Sequence, residues 1–459
     1  MSRNVLEREV ERLLGPEAVP RGPLGRYSND ETEGRGLRGE PAAVALPGSS
    51  EEVAAIVAWC YEHGQPIVPR GGGSGFSGGA VPTSGALVIG LERMRRILGF
   101  EPHLWRIHVE AGLLTSEVQR LARENGLYFP PDPGAAEQSQ IGGNVATNAG
   151  GPHAFKYGVT SAWVTGLEAV LPPGRIVTSG GSVRKDVSGY DVKSLLLGSE
   201  GTLGIVTSAW LRLIPAPESR RPVAAFFKNP EEGCAAILRI LEAGIQPATI
   251  EYLDGATFRA ARAGFPVAAP DDYEFLVIAE ADGTETEASA IQAELVEVLE
   301  PESGLIHSPE GQRAIDDLWK WRDGVSIAVT AQRGGKVSED IVVPVEKLAE
   351  AIAGTEEIGR RHSLPTCSWG HAGDGNLHST FMVDPDDAKG LERAEAAAGE
   401  LFRLALRLGG TVSGEHGIGT AKLEGLAAQM AEEEMSLQRQ IKACFDPKGL
   451  MNPGKKLIA

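Results

Sequence analysis

Cysteine is scarce in this 459-residue chain: Cys60, Cys234, Cys367 and Cys444 are all it has, and no two form a Cys-x-x-Cys pair. That excludes a chain-borne iron–sulfur cluster or Cys-rich zinc site and reads as a reducing compartment. No stretch approaches the roughly 20 consecutive apolar residues of a membrane-spanning helix. Residues 1–20 are charged and amphipathic, without the apolar centre of a secretion signal. A cytoplasmic protein is expected, with peripheral attachment to the inner face of a membrane left open. Positive charge is in deficit, 44 Lys and Arg against 62 Asp and Glu, a formal net charge of −18. Such a field repels phosphate backbones and excludes nucleic acid as a partner. Histidine is sparse too, nine in all, which gives weight to places where several gather.

What is present is ordinary for a soluble globular protein, 42% apolar and 23% charged residues. The length exceeds what one hydrophobic core covers, so two or three domains are expected. An extension, residues 1–40, holds a short helix and a polar segment with Tyr27, Asp30 and Glu31. The chain then reads strand, helix, strand. Val44-Ala45-Leu46 is a short apolar run, Ser49 and Glu52 have capping-box spacing, and Val53, Ile56, Val57, Cys60 and Tyr61 form a helical stripe ended by Gly64. Residues 66–69, 86–89 and 105–109 read as strands, and Thr115 caps a helix with Val118, Leu121 and Ala122 inward. Strands dominate 160–215, up to Pro215 and Pro217, where a domain boundary falls. Beyond it, helices near 233–243, 287–299 and 345–362 alternate with strands near 275–280, 340–343 and 377–382. That pattern predicts an antiparallel sheet covered by helices. The expected division is 1–217, 218–411 and a segment 412–459 that returns to the first domain.

The most informative stretch is Gly370-His371-Ala372-Gly373-Asp374-Gly375-Asn376-Leu377-His378, taken with Gly414-Glu415-His416-Gly417. A single strand would send positions 371 and 378 to opposite faces; a reversal at Gly373-Asp374-Gly375 folds them back toward one point. A loop histidine alone is most often a hydrogen-bonded or solvated one. With Glu415 added, three ligands leave one coordination position open, the pattern of a catalytic metal site. His416 then stands by as a base, or exchanges roles with Glu415. Two imidazoles and a carboxylate suit Zn²⁺, and Mn²⁺ or Fe²⁺ as well.

Pro69-Arg70-Gly71-Gly72-Gly73-Ser74-Gly75, with Ser77, Gly78 and Gly79, offers consecutive backbone N–H groups to an anion, and a dinucleotide pyrophosphate is the natural ligand. No Gly-Lys-Ser/Thr follows, and the next segment is a poor helix, so neither a P-loop nor a Rossmann fingerprint fits. Pro131-Asp132-Pro133-Gly134, the Ile141–Gly151 stretch (IGGNVATNAGG) and Leu197–Val206 (LGSEGTLGIV) are rich in small residues that let a flat ring lie against backbone. The Ile141–Gly151 stretch reads as an extended loop.

These motifs together resemble the FAD-linked flavoproteins of the vanillyl-alcohol oxidase fold, in the branch of D-lactate dehydrogenases, the glycolate oxidase flavin subunit and D-2-hydroxyglutarate dehydrogenase. The resemblance runs from about Pro41 to Lys456. It implies an α+β protein: a two-part FAD-binding domain of that type plus an α+β cap domain with an antiparallel sheet. It gives the pyrophosphate to Pro69, Arg70, Gly71, Gly72, Gly73, Ser74, Gly75, Ser77 and Gly78. Flavin and ribityl contacts fall to Pro131, Asp132, Gly142, Gly143, Thr147, Asn148 and Gly151, the adenine side to Glu200, Gly201, Gly204, Ile205 and Val206, and the ring edge to Asn452. Residues 71–75 hold no histidine, so the flavin is expected to be non-covalent.

The resemblance further implies a dehydrogenase or oxidase that takes a hydride from a small D-2-hydroxy acid, glycolate or D-lactate. The metal would sit on His371, His378 and Glu415, with His416 as base. Arg322 matches the position that grips the substrate carboxylate, and Ser326, one helical turn on, would share its face. Lys336 and Thr380 lie near substrate positions of the dicarboxylate branch but depart from its pattern, which favours a monocarboxylate over 2-hydroxyglutarate. Electrons would pass to a quinone, a cytochrome or a separate iron–sulfur subunit, or to O₂; a homodimer is compatible. The competing readings are D-2-hydroxyglutarate dehydrogenase, an alkylglycerone-phosphate synthase-like enzyme and a non-catalytic flavin subunit. The synthase branch carries a run of histidines where this chain has Ser413-Gly414-Glu415-His416.

Overall fold

The structure, a computed structural model, describes residues 3–83, 85–268, 272–300 and 304–458; Met1 and Ser2 of the amphipathic N-terminal segment lie outside the described residues. The chain divides into two compact units. One comprises Met1–Gly150, Val159–Ala216 and Glu415–Ala459, the other Gly151–Gly158 and Pro217–Gly414. Among the described residues no helix is long and apolar enough to cross a membrane.

In the first unit, Leu87–Gly90 is the centre of a three-stranded parallel sheet between Ala43–Ala45 and Ile67–Arg70. Such strands are buried on both faces, hence their unbroken apolar runs. The helix Ser50–His63 connects two of them. The Ser49 side chain accepts from the Glu52 amide, and Gly64 ends the helix in the left-handed region at φ 65°. Glu52 reaches the Gly48 amide at 2.7 Å rather than that of Ser49, so the capping box is only half formed. Val53, Ile56, Val57 and Cys60 bury the helix against the sheet. Met451 pairs with Ile67, which adds the C-terminal segment to the sheet edge. A five-stranded antiparallel sheet follows, in the order Ile97–Glu101, Arg106–Glu110, Ile205–Arg212, Val164–Leu171, Arg175–Gly180.

The Ile141–Gly151 stretch departs from the expected extended loop. Ile141–Thr147 is an α-helix, and Asn148 ends it in the left-handed region at φ 55°. Two glycines disfavour a helix by about 1 kcal/mol each. Here close packing wins: a Cβ on Gly142 would stand 2.6 Å from the Cβ of Ala111.

The second unit is a seven-stranded sheet in the order Leu305–His307, Ser219–Phe227, Phe275–Gly283, Thr249–Asp254, Thr366–His371, Asn376–Val383, Gly335–Val342. Every pairing in it is antiparallel, the architecture expected for the cap. Helices Glu285–Leu299 and Ala388–Arg407 pack on it. Leu253, Ile278, Trp369 and Met382 pack with Phe258, Leu318, Trp319 and Trp321 in one apolar cluster. By strand alternation, Glu251, His371 and His378 share that face.

Candidate active site

The hairpin formed by Thr366–His371 and Asn376–Val383 carries the two histidines of the second unit. Its turn, Ala372–Asp374, closes at Gly375, in the left-handed region at φ 69°. A Cβ there would come 2.0 Å from the Val343 carbonyl oxygen, so only glycine fits. The reversal sets the His371 and His378 rings edge to face, centroids 5.3 Å apart. Both are buried, and Glu415 is partly buried.

Glu251 lies directly opposite His371 in the sheet register. Its Oε1 accepts from His371 Nδ1 at 2.6 Å and its Oε2 from Arg322 Nε at 2.8 Å. The carboxylate is fully buried. Burial pushes its pKa up, but the His371 and Arg322 charges and hydrogen bonds overcome that and hold it at about 2. An ionised Glu251 leaves His371 Nδ1 as the donor and Nε2 as the nitrogen available to a metal. No local motif marks this residue in the sequence. Its one visible signal is a lone acid in the apolar run Ile250-Glu251-Tyr252-Leu253.

Arg322 is a buried partner of Glu251 rather than a surface residue; its Nε and Nη2 both engage that carboxylate. Ser326 does not share a helix with it. Helix Gln312–Asp323 ends at Gly324, and Ser326 lies in the first turn of another, Val325–Ala331. Ser326 instead accepts from Lys336 Nζ, at 3.0 Å through its carbonyl and through its hydroxyl. Lys336 also lies over the Trp369 ring at 5.4 Å, and burial lowers its pKa to about 8. Thr380 is buried and bonds Ser338 across the strands at 2.7 Å. Asn376, on the His378 face, donates to the Ile341 carbonyl, while its buried Oδ1 has no hydrogen-bond partner. That acceptor suits a hydroxyl or a bound water, and it too escaped the sequence analysis. The Gly414 amide donates to the Asp340 carbonyl and to its Oδ2, both at 2.9 Å, and Asp340 pairs with His378 in the register. The backbone immediately before Glu415 is thus fixed beside the imidazoles. Two imidazoles, one of them oriented by an ionised carboxylate, and an orphaned acceptor fit a divalent cation with a hydroxylated ligand.

The cofactor segments of the first unit face one another. A Cβ on Gly71 would lie 3.3 Å from Gly143 Cα, and one on Gly72 would lie 2.0 Å from the Gln138 carbonyl oxygen. Gly73 and Gly78 hold φ near 75° and 78°, and the Gly75 carbonyl accepts from Glu31. Ser74 stands partly buried in the same loop. The Arg70 side chain is buried against backbone carbonyls. It donates to the Asn29 and Arg26 carbonyls at 2.7 and 2.9 Å through its two terminal nitrogens and lies under Gly73. Pro69 packs on Gly201, itself at φ 70°, and a Cβ on Gly204 would stand 2.6 Å from a Leu171 methyl group. Ile205 and Val206 begin a buried strand. The Pro131 carbonyl accepts from Gln119, and Asp132 is partly buried. Thr147 bonds the Gly143 carbonyl within its helix, and Asn148 accepts from the Ser161 amide. Gly151 belongs to the second unit.

Two assigned contacts are engaged within the protein. Glu200 accepts from the Ile418 and Gly419 amides at 2.9 and 2.7 Å, which pins the segment after His416. Asn452 donates to the Gly79 and Glu200 carbonyls and accepts from Lys455, so its side-chain amide has no free donor for a ring edge. His416 packs on Phe76 at 4.7 Å, its carbonyl accepts from Ser77 Oγ, and its Nε2 is 3.9 Å from Glu415. Asp30 Oδ2 and Gln140 Oε1 are buried without partners beside the glycine segments. Two orphaned acceptors next to a glycine cradle fit FAD, which brings ribityl and ribose hydroxyls and a ring N–H.

Residues 41–180 match the FAD binding domain model, and residues 216–456 match the model of FAD linked oxidases, C-terminal domain. The chain is 35% identical to the glycolate oxidase subunit GlcD of Bacillus subtilis (strain 168), over 99% of this chain and 97% of that protein. The chain belongs to the FAD-linked oxidase family. This FAD-linked oxidase is also 33% identical to a D-lactate dehydrogenase of Anaerostipes hadrus (94% and 92% covered). It is 35% identical to a D-2-hydroxyglutarate dehydrogenase of Xanthomonas citri pv. viticola (94% and 92%). Among solved structures it resembles p-cresol methylhydroxylase with substrate bound at a TM-score of 0.81 and 17% identity, covering 99% of this chain and 96% of that one. The FAD-linked oxidase therefore has the vanillyl-alcohol oxidase type of fold and is an FAD-dependent oxidoreductase.

Proposed function

We propose that this protein oxidises a small D-2-hydroxy acid, glycolate or D-lactate, to the 2-oxo acid, with non-covalent FAD and a divalent cation on His371, His378 and Glu415. The observation that carries the reading is the buried chain His371–Glu251–Arg322 beside the edge-to-face His378. FAD, when bound, accepts a hydride. A divalent cation, when bound, lowers the pKa of an alcohol that ligates it. Zn²⁺ suits the donor set best.

The chain's own residues have distinct tasks. Glu251 keeps the proton on His371 Nδ1, so Nε2, held in a fixed orientation, would be the nitrogen that ligates an ion. The Gly414 amide, tied to Asp340, sets the backbone from which Glu415 projects. Arg322, its planar guanidinium fixed in orientation by Glu251, presents its remaining nitrogen to the substrate carboxylate. His416 takes the hydroxyl proton as the general base. Asn376 Oδ1 accepts from the substrate hydroxyl or a water.

A monocarboxylate is favoured over a dicarboxylate because Lys336 and Thr380 are already bonded to Ser326 and Ser338. The relatives named for glycolate, D-lactate and D-2-hydroxyglutarate match at nearly equal identity and leave that choice to the side chains. No cysteine spacing supports a cluster, so electrons leave to a quinone, a cytochrome or an iron–sulfur partner. The test is anaerobic mixing of the yellow protein with D- and L-lactate, glycolate, malate and 2-hydroxyglutarate. Bleaching by glycolate or D-lactate supports the reading; bleaching by 2-hydroxyglutarate alone replaces it.

A further inference from the structure

The first unit contains a second built feature that the oxidation does not use. At one end of its five-stranded sheet lies a hollow of about 250 Å³ lined by Leu104, Trp105, Arg106, Arg184 and Arg212 together with the backbone turn at Ser182. Arg106 and Arg212 stand directly opposite each other in the sheet register. Like charges in that position repel and weaken a sheet unless something neutralises them. Arg106 has its own carboxylate, Glu101, at 2.8 Å. Arg184 and Arg212 have no ion-pair partner among the described residues, in a chain whose net charge is −18. The Arg212 Nε is buried and makes no hydrogen bond.

The three guanidiniums are also held in place. Arg212 sits over Trp163 at 4.2 Å, Arg184 over Trp105 at 5.3 Å and Arg106 over Trp210 at 5.6 Å. An arginine packed on an indole has already lost much of its rotamer freedom, so less is lost when it grips a ligand. The hollow is separate from the cofactor segments. Gly142 abuts Ala111, just past the far end of the strand Arg106–Glu110, roughly 16 Å along it.

We propose that this hollow is a binding site for a compact dianion, a phosphate group or a small dicarboxylate, held by Arg212 and Arg184. Two unneutralised guanidiniums match two negative charges, and the volume of about 250 Å³ accommodates a small anion. Arg212 supplies the buried donor that a ligand oxygen completes.

The test uses the FAD-loaded full chain, in low chloride, titrated calorimetrically with inorganic phosphate and, separately, with malonate. At least one probe should bind with Kd below about 1 mM (ΔG° beyond about −4 kcal/mol). Tighter phosphate binding names a phosphoryl source, and tighter malonate binding a dicarboxylate. Arg212→Gln should weaken binding at least tenfold, and exposed Arg184→Gln severalfold. Arg313→Gln, a charge-matched control whose side chain is exposed, should bind like the parent, and flavin reduction should be unchanged in all three. If Arg212→Gln does not fold, Arg184→Gln carries the test. Failure of both probes to bind below 10 mM, or equal binding by the Arg184 and Arg313 variants, overturns the proposal.

Discussion

His371 donates from Nδ1 to Glu251 at 2.6 Å, and the same carboxylate holds Arg322 through its other oxygen. One buried acid thus orients a metal-ligand candidate and a substrate-grip candidate together. Removing one member of a buried charged set costs about 3–5 kcal/mol, because the others are left unpaired. Glu251→Ala should therefore lower the unfolding free energy by that amount in urea titration. Glu251→Gln keeps the shape and can still accept from Nδ1. It should fold, keep FAD and bind Zn²⁺ about 10–100-fold more weakly in a chelator competition. Unchanged zinc affinity would remove Glu251 from the site.

His416→Ala should retain FAD and metal while flavin reduction by substrate slows about 10²–10⁴-fold, the usual worth of a positioned base. Anaerobic stopped-flow absorbance reads this directly. A reduction rate equal to the parent's would assign the proton transfer elsewhere.

Gly375→Ala meets two obstacles, φ at 69° and a Val343 oxygen 2.0 Å from the new Cβ. The turn must open, which separates the two imidazoles. Expected are a stability loss of at least 1–3 kcal/mol and loss of bound metal, measured by thermal unfolding and elemental analysis.

Asp254 gives a pH signature. It is fully buried, accepts from the Thr257 amide at 2.7 Å, and its pKa is raised by burial to about 7 from an ordinary 3.8. The folded state therefore prefers the protonated acid. Stability falls as pH rises from about 4 to 7 and is level above that. Asparagine caps a helix as well as aspartate and carries no charge. Asp254→Asn should gain melting temperature over the parent, little at pH 5 and most at pH 8. An advantage independent of pH would contradict the shift.

The readily legible parts of this chain were local. The glycine loop and the His-Ala-Gly-Asp-Gly-Asn-Leu-His turn are set by backbone angles that only glycine adopts freely, so their geometry is written in a few consecutive residues. Long-range partners were not. Glu251 lies 120 positions from His371 and, in sequence, is one acid in a strand. Strands Ser219–Phe227, Thr249–Asp254 and Thr366–His371 also went unseen, because short apolar runs do not distinguish strand from buried helix. The Arg70 side-chain bonds are of the same kind: its sequence neighbours are glycines, and the Asn29 and Arg26 carbonyls it donates to lie more than 40 positions away. The Gly142–Gly143 helix shows tertiary packing overriding propensity.

The most direct measurement of the central claim combines elemental analysis with anaerobic reduction of the same freshly purified sample, before and after chelation. About one transition-metal ion per chain is expected, with FAD retained after the ion is stripped, bleaching by glycolate or D-lactate lost, and bleaching restored by added Zn²⁺ or Mn²⁺. Full bleaching by a metal-free sample would contradict the account.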